Sequence, residues 1–252
     1  MKSPAFSLPW LTPGEPFPDP ARAWGLSDPV PGLLAGGGVL DTPTLKRAYS
    51  SAIFPWFSDD QPVLWWSPDP RMVLQMVDFR LHRSFRKTIA RFMLDERCEI
   101  RFDTAFARVI QACATGERPG QAGTWIVPSM VQAYEEFHSA GYAHSIETWI
   151  DGELAGGLYC VAIGKAVFGE SMFTRVPDAS KIALAALVSF CRASGITTID
   201  CQQNTRHLAS LGAGEIDRGR FVEQVAVDAL RQGPQWIFQP VYWNELVNPT
   251  SA

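Results

Sequence analysis

The chain has 252 residues, 46% of them hydrophobic, 12% aromatic and 19% charged. That supplies a sizeable core for one large domain or two modest ones, and it excludes a chain kept disordered by high charge and low hydrophobicity. The net charge of −4 exerts no overall pull on nucleic acid, so a polyanionic partner would require a local basic patch.

Met1 to Pro20 carries Lys2 but is broken repeatedly by proline and has no apolar run, which argues against a secretory leader. Nothing further on approaches the ~20 apolar residues of a membrane span, and the reading is a soluble, cytoplasmic protein. Residues 1–42 are rich in Pro and Gly and end in Gly32-Leu-Leu-Ala-Gly-Gly-Gly38, which reads as an extended wrapper outside regular helix or strand. Thr42-Pro43 gives an N-cap and first-turn proline for a short helix to about Ala52, which delivers Ile53-Phe-Pro-Trp-Phe57. Val63–Trp66 and Met72–Met76 read as short strands around Pro68-Asp-Pro70.

Between Arg80 and Arg91 lie Arg80, Arg83, Arg86, Lys87 and Arg91, with no acid before Asp95. Arg83, Lys87 and Arg91 recur every fourth residue and share one face of a helix. A strand over Cys98–Phe102, a helix over Thr104–Ala114, a Gly/Pro loop over Glu117–Gly123 and a helix from near Pro128 to Ser139 follow. Beyond Gly141 the pattern changes. His144–Ile150 alternates, Asp151-Gly152 is a hairpin signal, and the runs Leu154–Ile163 and Lys165–Phe173 complete a meander. A long apolar helix over Ser180–Ala193, a short buried strand over Thr197–Cys201 and helices near Arg206–Leu211 and Arg218–Leu230 close the chain. The order of strands, helix, strand and helix matches an acetyltransferase-like α+β fold, as a fold-level analogy.

The chemistry concentrates where strands end. Asp200 and Gln202 lie two apart in a strand and project to one face, where an ionised Asp accepting the Gln amide N–H would fix the Gln carbonyl toward an incoming amine. The competing reading has Asp200 capping the following helix and Gln202 satisfying loop backbone. Glu170, in an otherwise apolar strand, needs a cationic partner if buried, either a substrate side chain or an internal arginine such as Arg175. Trp56, Trp65, Trp66, Trp125, Tyr49 and Tyr134 are candidates for an apolar side-chain pocket, although each taken singly fits a core. The basic face is either a phosphate contact or solvated surface. Cys98, Cys113, Cys160, Cys191 and Cys201 form no C-x-x-C pair and read as free thiols in a reducing compartment. His138, His144 and His207 lack metal-ligand spacing, and the glycine run lacks the order of a dinucleotide site.

Taken together, Gly32-Leu-Leu-Ala, Ala48-Tyr49, Ile53-Phe-Pro-Trp-Phe-Ser58, Leu64-Trp-Trp-Ser-Pro-Asp-Pro-Arg71, Gly123-Thr-Trp-Ile126, Ala143-His-Ser-Ile-Glu147, Gly169-Glu-Ser-Met-Phe173, Ala179-Ser-Lys181, Ile199-Asp-Cys-Gln202 and His207-Leu-Ala-Ser-Leu-Gly-Ala213 resemble the bacterial leucyl/phenylalanyl-tRNA–protein transferases, in that family's order. The resemblance implies an α+β fold, with a small N-terminal α/β domain at 1–78 packed on a C-terminal acetyltransferase-like (GNAT-type) catalytic domain at 79–252. It implies that Asp200 and Gln202 handle the α-amino group and that Glu170 helps to hold a cationic acceptor. Trp56, Tyr49, Trp125, Tyr134, Leu158 and Phe168 would line the donor side-chain pocket, and Arg83, Lys87 and Arg91 would bind tRNA. Donors would be Leu-tRNA and Phe-tRNA, with Met-tRNA weaker. Acceptors would be proteins beginning with Arg or Lys, and the enzyme would act as a monomer without metal or soluble cofactor. The chain departs from the family in three places: Gly-Gly-Gly-Val39 where Gly-Gly-Asp is usual, Leu158 where Met is common, and Ala90 where a positive charge is lost.

The alternative is an acetyl-coenzyme A-dependent acetyltransferase of the same fold. It needs a Gly-rich pyrophosphate loop before the long helix, which Arg175-Val-Pro-Asp-Ala-Ser180 does not supply. A non-catalytic module for basic N-termini would retain Glu170 but dispense with the basic face.

Overall fold

The computed structural model describes residues 8–116 and 125–247, so the expected loop at 117–123 lies outside the described residues. The first elements are β1 (Trp10–Leu11), β2 (Leu33–Gly37), α1 (Thr42–Ser50), β3 (Phe54–Pro55), β4 (Leu64–Trp66) and β5 (Arg71–Gln75). Next come α2 (Arg83–Leu94), β6 (Cys98–Phe102), α3 (Phe106–Thr115), α4 (Pro128–Ser139), β7 (Ala143–Ile150), β8 (Glu153–Ile163) and β9 (Ala166–Thr174). The last are α5 (Ala179–Ala193), β10 (Thr198–Gln202), α6 (Arg206–Ser210), β11 (Gly214–Ile216), α7 (Arg218–Asp228) and α8 (Asn244–Val247). The result is a mixed α/β fold with two mixed sheets, ordered β1-β2-β4-β3 and β11-β5-β10-β9-β8-β7-β6.

The turn after β4 does not close a hairpin. It carries the chain from the small sheet to the large one, where β5 pairs antiparallel with both β10 and β11. The sheets therefore change over between β4 and β5, ahead of the expected boundary at 78/79.

The large sheet is covered on both faces, which is why β7 is buried along nearly its whole length despite its alternating sequence. One core joins α1, α3, α4 and the small sheet through Tyr49, Trp65, Tyr134, Phe137, Trp149 and Phe168. The other packs α5 through Ile182, Leu187 and Phe190 against Ile146, Leu158, Val167 and Ile199. The β7–β8 turn follows its sequence signal: Asp151 and Gly152 have φ of 52° and 76°, the left-handed pair of a tight hairpin.

Two expectations for the N-terminal region are corrected. The glycine run is a strand, because β2 bonds β1 in parallel and β4 in antiparallel register, and the missing side chains admit Trp10. A Cβ on Gly36 would stand 3.0 Å from the Trp10 ring, and one on Gly37 only 2.7 Å from the Leu11 carbonyl oxygen and 2.8 Å from the Trp10 indole nitrogen. The cap of α1 is Asp41, not Thr42: its carboxylate accepts the Thr44 N–H at 2.8 Å, and Thr42 already lies inside the helix.

Gly37 also has φ of +81°, so Gly37→Ala combines a clash with backbone strain. A loss of about 1–3 kcal/mol in urea unfolding is expected, with secondary structure retained. An unchanged midpoint would mean that β1 and Trp10 do not pack on this strand.

Candidate active site

The parallel junction of β9 and β10 positions the polar groups. Only Ile199 with Val167 and Asp200 with Phe168 are in register, after which β10 leaves β9. Gly169 to Met172 are consequently half-buried, on a strand otherwise enclosed by β8 and the helices. A cavity of about 350 Å³ adjoins the far end of this stretch, between Met172–Arg175 and Ala112–Gly116.

Asp200 is buried, and its carboxylate is engaged in a way that differs from the expectation. Arg71, the first residue of β5, donates from Nε to Oδ1 at 2.8 Å and from Nη2 to Oδ2 at 2.7 Å. The expected bond from the Gln202 amide is replaced by one from the Gln202 backbone N–H to Oδ1, at 3.0 Å. Strict alternation fails because the register against β5 slips between Asp200 and Gln202, and Gln202 takes φ of +55°. The helix-cap reading of Asp200 fails as well, since Thr205 caps α6 by accepting the Leu208 N–H. Arg71 escaped the residue-by-residue reading, although an arginine opening the apolar stretch Met72–Leu74 could only be buried with a partner.

The Gln202 amide faces Glu170 instead, with Nε2 at 3.4 Å from Oε1. Tyr49 donates to the same carboxyl oxygen at 2.8 Å, and the hydroxyls of Tyr49 and Tyr134 are bonded to each other. Burial pushes both phenols well above their ordinary range, which keeps them protonated as donors. Enclosure by protein also raises the Glu170 carboxyl to about 8, with the Asp200 charge adding to it and the Tyr49 bond opposing it. Arg175 is not its partner: that guanidinium bonds the Leu154 carbonyl at 3.3 Å and lies over the Phe173 ring.

The six expected pocket residues do not form one group. Tyr49 and Phe168 meet edge to face at 5.0 Å, and Tyr134 and half-buried Trp125 belong to the same core. Trp56 stands 37% exposed, 5.3 Å from the Trp66 ring whose indole N–H bonds the Trp56 carbonyl. Leu158 departs from the expectation: it lies in the other core, opposite Met172 of β9, with Ile146 and Val167 rather than with Tyr49 and Tyr134. Alternation along β8 assigns neighbouring Tyr159 to the first face and Leu158 to the second.

Arg83, Lys87 and Arg91 do share the exposed face of α2, whose buried side is Ile89 and Phe92. The cysteines are free, with Cys113, Cys160 and Cys191 buried and Cys98 and Cys201 half-buried. His144 bonds the Asp103 carboxylate at 2.7 Å and stacks on Trp236 at 4.0 Å. No group of three or more metal-ligating side chains occurs among the described residues, and no helix among them is long and apolar enough to cross a membrane.

Chemically, the junction sets a carboxyl on a half-buried residue, bonded by a phenol hydroxyl, beside a side-chain amide. Comparisons with known proteins identify the chain's relatives. A family profile described as leucyl/phenylalanyl-tRNA protein transferase matches residues 73–226, and the profile for the N-terminal domain of such proteins matches residues 38–69. A leucyl/phenylalanyl-tRNA–protein transferase from a Polaromonas species is 63% identical, over 95% of this chain and 94% of its own. One from Albidiferax ferrireducens is 61% identical over 100% of this chain and 99% of its own, and one from Paraburkholderia xenovorans is 51% identical over 97% and 100%.

The raised Glu170 carboxyl has a consequence for stability. The folded chain holds this proton up to about 8, against an ordinary 4.5, so the contribution is full below about 4.5 and is lost as pH rises through about 8. The urea midpoint of the parent should therefore fall between about pH 5 and pH 8 more steeply than that of Glu170→Gln, which carries no ionisable group there. Parallel pH profiles for the two proteins would place the Glu170 carboxyl in its ordinary range.

Proposed function

We propose that this chain, which belongs to the leucyl/phenylalanyl-tRNA protein transferase family, moves leucine or phenylalanine, and methionine less well, from charged tRNA to the α-amino group of proteins beginning with Arg or Lys. The product is marked for degradation by its new N-terminus. The enzyme is an aminoacyltransferase, and its place of action is the cytoplasm as a monomer. We assign residues 1–78 to a small N-terminal domain, whose last strand β5 joins the large sheet, and residues 79–252 to a GNAT-type catalytic domain.

The observation that carries this reading is the convergence of Glu170, Gln202 and the Tyr49–Tyr134 pair where β9 and β10 part. In the reaction the α-amino nitrogen attacks the ester carbonyl carbon of the charged tRNA. The new C–N bond forms, the ester C–O bond breaks, and the tRNA hydroxyl leaves with the proton that the amine gives up. Glu170 binds the guanidinium or ammonium of the acceptor, whose charge would draw its carboxyl down into the ionised form. Gln202 accepts a hydrogen bond from the amine and aligns it, a contribution of orientation rather than proton transfer. Asp200 acts through the Gln202 backbone. The rings of Tyr49, Tyr134, Phe168, Trp125 and Trp56 form the apolar side of the donor site. Leu158 lies across the sheet from them.

An acetyl-coenzyme A reaction finds less support, since α5 begins at Ala179 after Asp178 in a left-handed conformation, without a Gly-rich loop. The exposed face of α2 supplies the phosphate contact that an acidic protein needs to hold tRNA.

Two measurements test this reading. Arg83→Glu with Lys87→Glu should weaken Leu-tRNA binding by about tenfold or more at low salt and flatten the salt dependence, with circular dichroism unchanged. Unaltered affinity at low and moderate salt would make the face solvated surface only. In steady-state transfer to an Arg-starting peptide, Glu170→Gln should mainly raise the peptide concentration for half-maximal rate. Gln202→Ala should instead lower the maximal rate by roughly tenfold or more while Leu-tRNA binding persists. Transfer by Gln202→Ala at the parental maximal rate would remove the alignment role.

A further inference from the structure

The geometry points to Arg71 as a positioning residue for aminoacyl transfer: it locks Asp200, and through Asp200 the backbone of Gln202, so that the Gln202 side chain is held against Glu170. This rests on the alignment role of Gln202 given above.

Arg71 is fully buried at the start of a strand whose next three residues are Met72, Val73 and Leu74. Its guanidinium is fixed on every side. Both Asp200 oxygens accept from it, at 2.8 and 2.7 Å, and the Ala52 carbonyl accepts from Nη1 at 3.3 Å. The Phe54 and Phe221 rings lie 4.8 and 4.7 Å from its central carbon. The three supports come from the small sheet, the segment after α1 and α7, so the plane of the fork is set by the whole fold. A lysine ammonium is a point charge without that plane and cannot make the paired contact.

The orientation is passed on through one atom. Asp200 Oδ1 takes both the Arg71 Nε bond and the Gln202 backbone N–H. Gln202 stands opposite Met72, the residue after Arg71, beyond the register slip, and its φ of +55° lies in the left-handed region, uncommon for a non-glycine residue and here supported by the backbone bond to Asp200. Without the fork, the carboxylate is free to rotate toward the Gln202 amide, which would withdraw that amide from Glu170. Arg71 touches neither reacting group. It acts by denying Asp200 any other arrangement.

The test uses the full chain, radiolabelled Leu-tRNA and an Arg-starting peptide, with Arg71→Lys, Arg71→Ala and Gln202→Ala measured together. Arg71→Lys is expected to lower the maximal rate by about tenfold or more, with Leu-tRNA affinity and the half-saturating peptide concentration within about twofold of the parent. Guanidinium chloride below its denaturing range should restore part of the rate of Arg71→Ala and none of that of Gln202→Ala. A folded Arg71→Lys at the parental rate beside a slow Gln202→Ala would leave Arg71 a structural ion pair and overturn the inference alone. Parental rates in Gln202→Ala would overturn the alignment reading and this inference with it. A rise in half-saturating peptide without loss of maximal rate, absence of guanidinium rescue, or loss of the far-ultraviolet signal in both Arg71 variants would also count against it.

Discussion

The buried ion pair of Arg71 with Asp200 is the constraint on which the site depends. Taking two charges out of water costs several kcal/mol per ion, which their attraction repays only in good geometry with the remaining donors satisfied. Here the fork is bidentate, a third N–H group reaches the Ala52 carbonyl and two aromatic faces cover the guanidinium. These partners come from the small sheet, the large sheet and α7, so the condition that makes the pair tolerable also draws those elements together.

The two buried or half-buried carboxylates of the site have different partners. Asp200 is matched by a full charge, whereas Glu170 has phenol and amide donors, and burial raises its carboxyl to about 8. A carboxyl without a charged partner, on a half-buried residue, fits the role proposed for Glu170, in which the cation arrives with the substrate. The aromatic residues share in this. Tyr49 stacks on Phe137 and meets Phe168 edge to face, and Tyr134 meets Phe137 in a T-shaped contact, while their hydroxyls run toward Glu170. One pair of side chains thus serves both apolar contact and carboxyl solvation, a division that tyrosine permits and phenylalanine would not.

Much of the fold was legible because long elements carry their own period. The helices over 128–139 and 179–193 and the meander through Asp151-Gly152 follow from spacing and turn chemistry within a residue or two. The glycine strand was not legible: glycine is depleted in strands, and what makes β2 a strand is its pairing with β1 and β4, with the Trp10 ring filling the space the glycines leave. In the site, Glu170, Asp200 and Gln202 were legible as polar groups in apolar strands, but their contacts were not. Alternation assumes an unbroken pleat, and the slip beside Met72 turns Gln202 out of it. Leu158 could not be assigned to a face without the strand register that sets it opposite Ile146 and Met172. Arg71 lies far from Asp200 along the chain, and no local pattern announces a partner that distant.

The two-ended nature of the Arg71–Asp200 bridge also bears on how such a chain can diverge. A change at either position alone strands the other charge in a dry interior, whereas a joint change to apolar residues would keep the packing while freeing the Gln202 backbone. Single changes are therefore costly at both positions. A descendant that lost the pair together could retain a folded protein of this shape whose Gln202 amide is no longer held against Glu170.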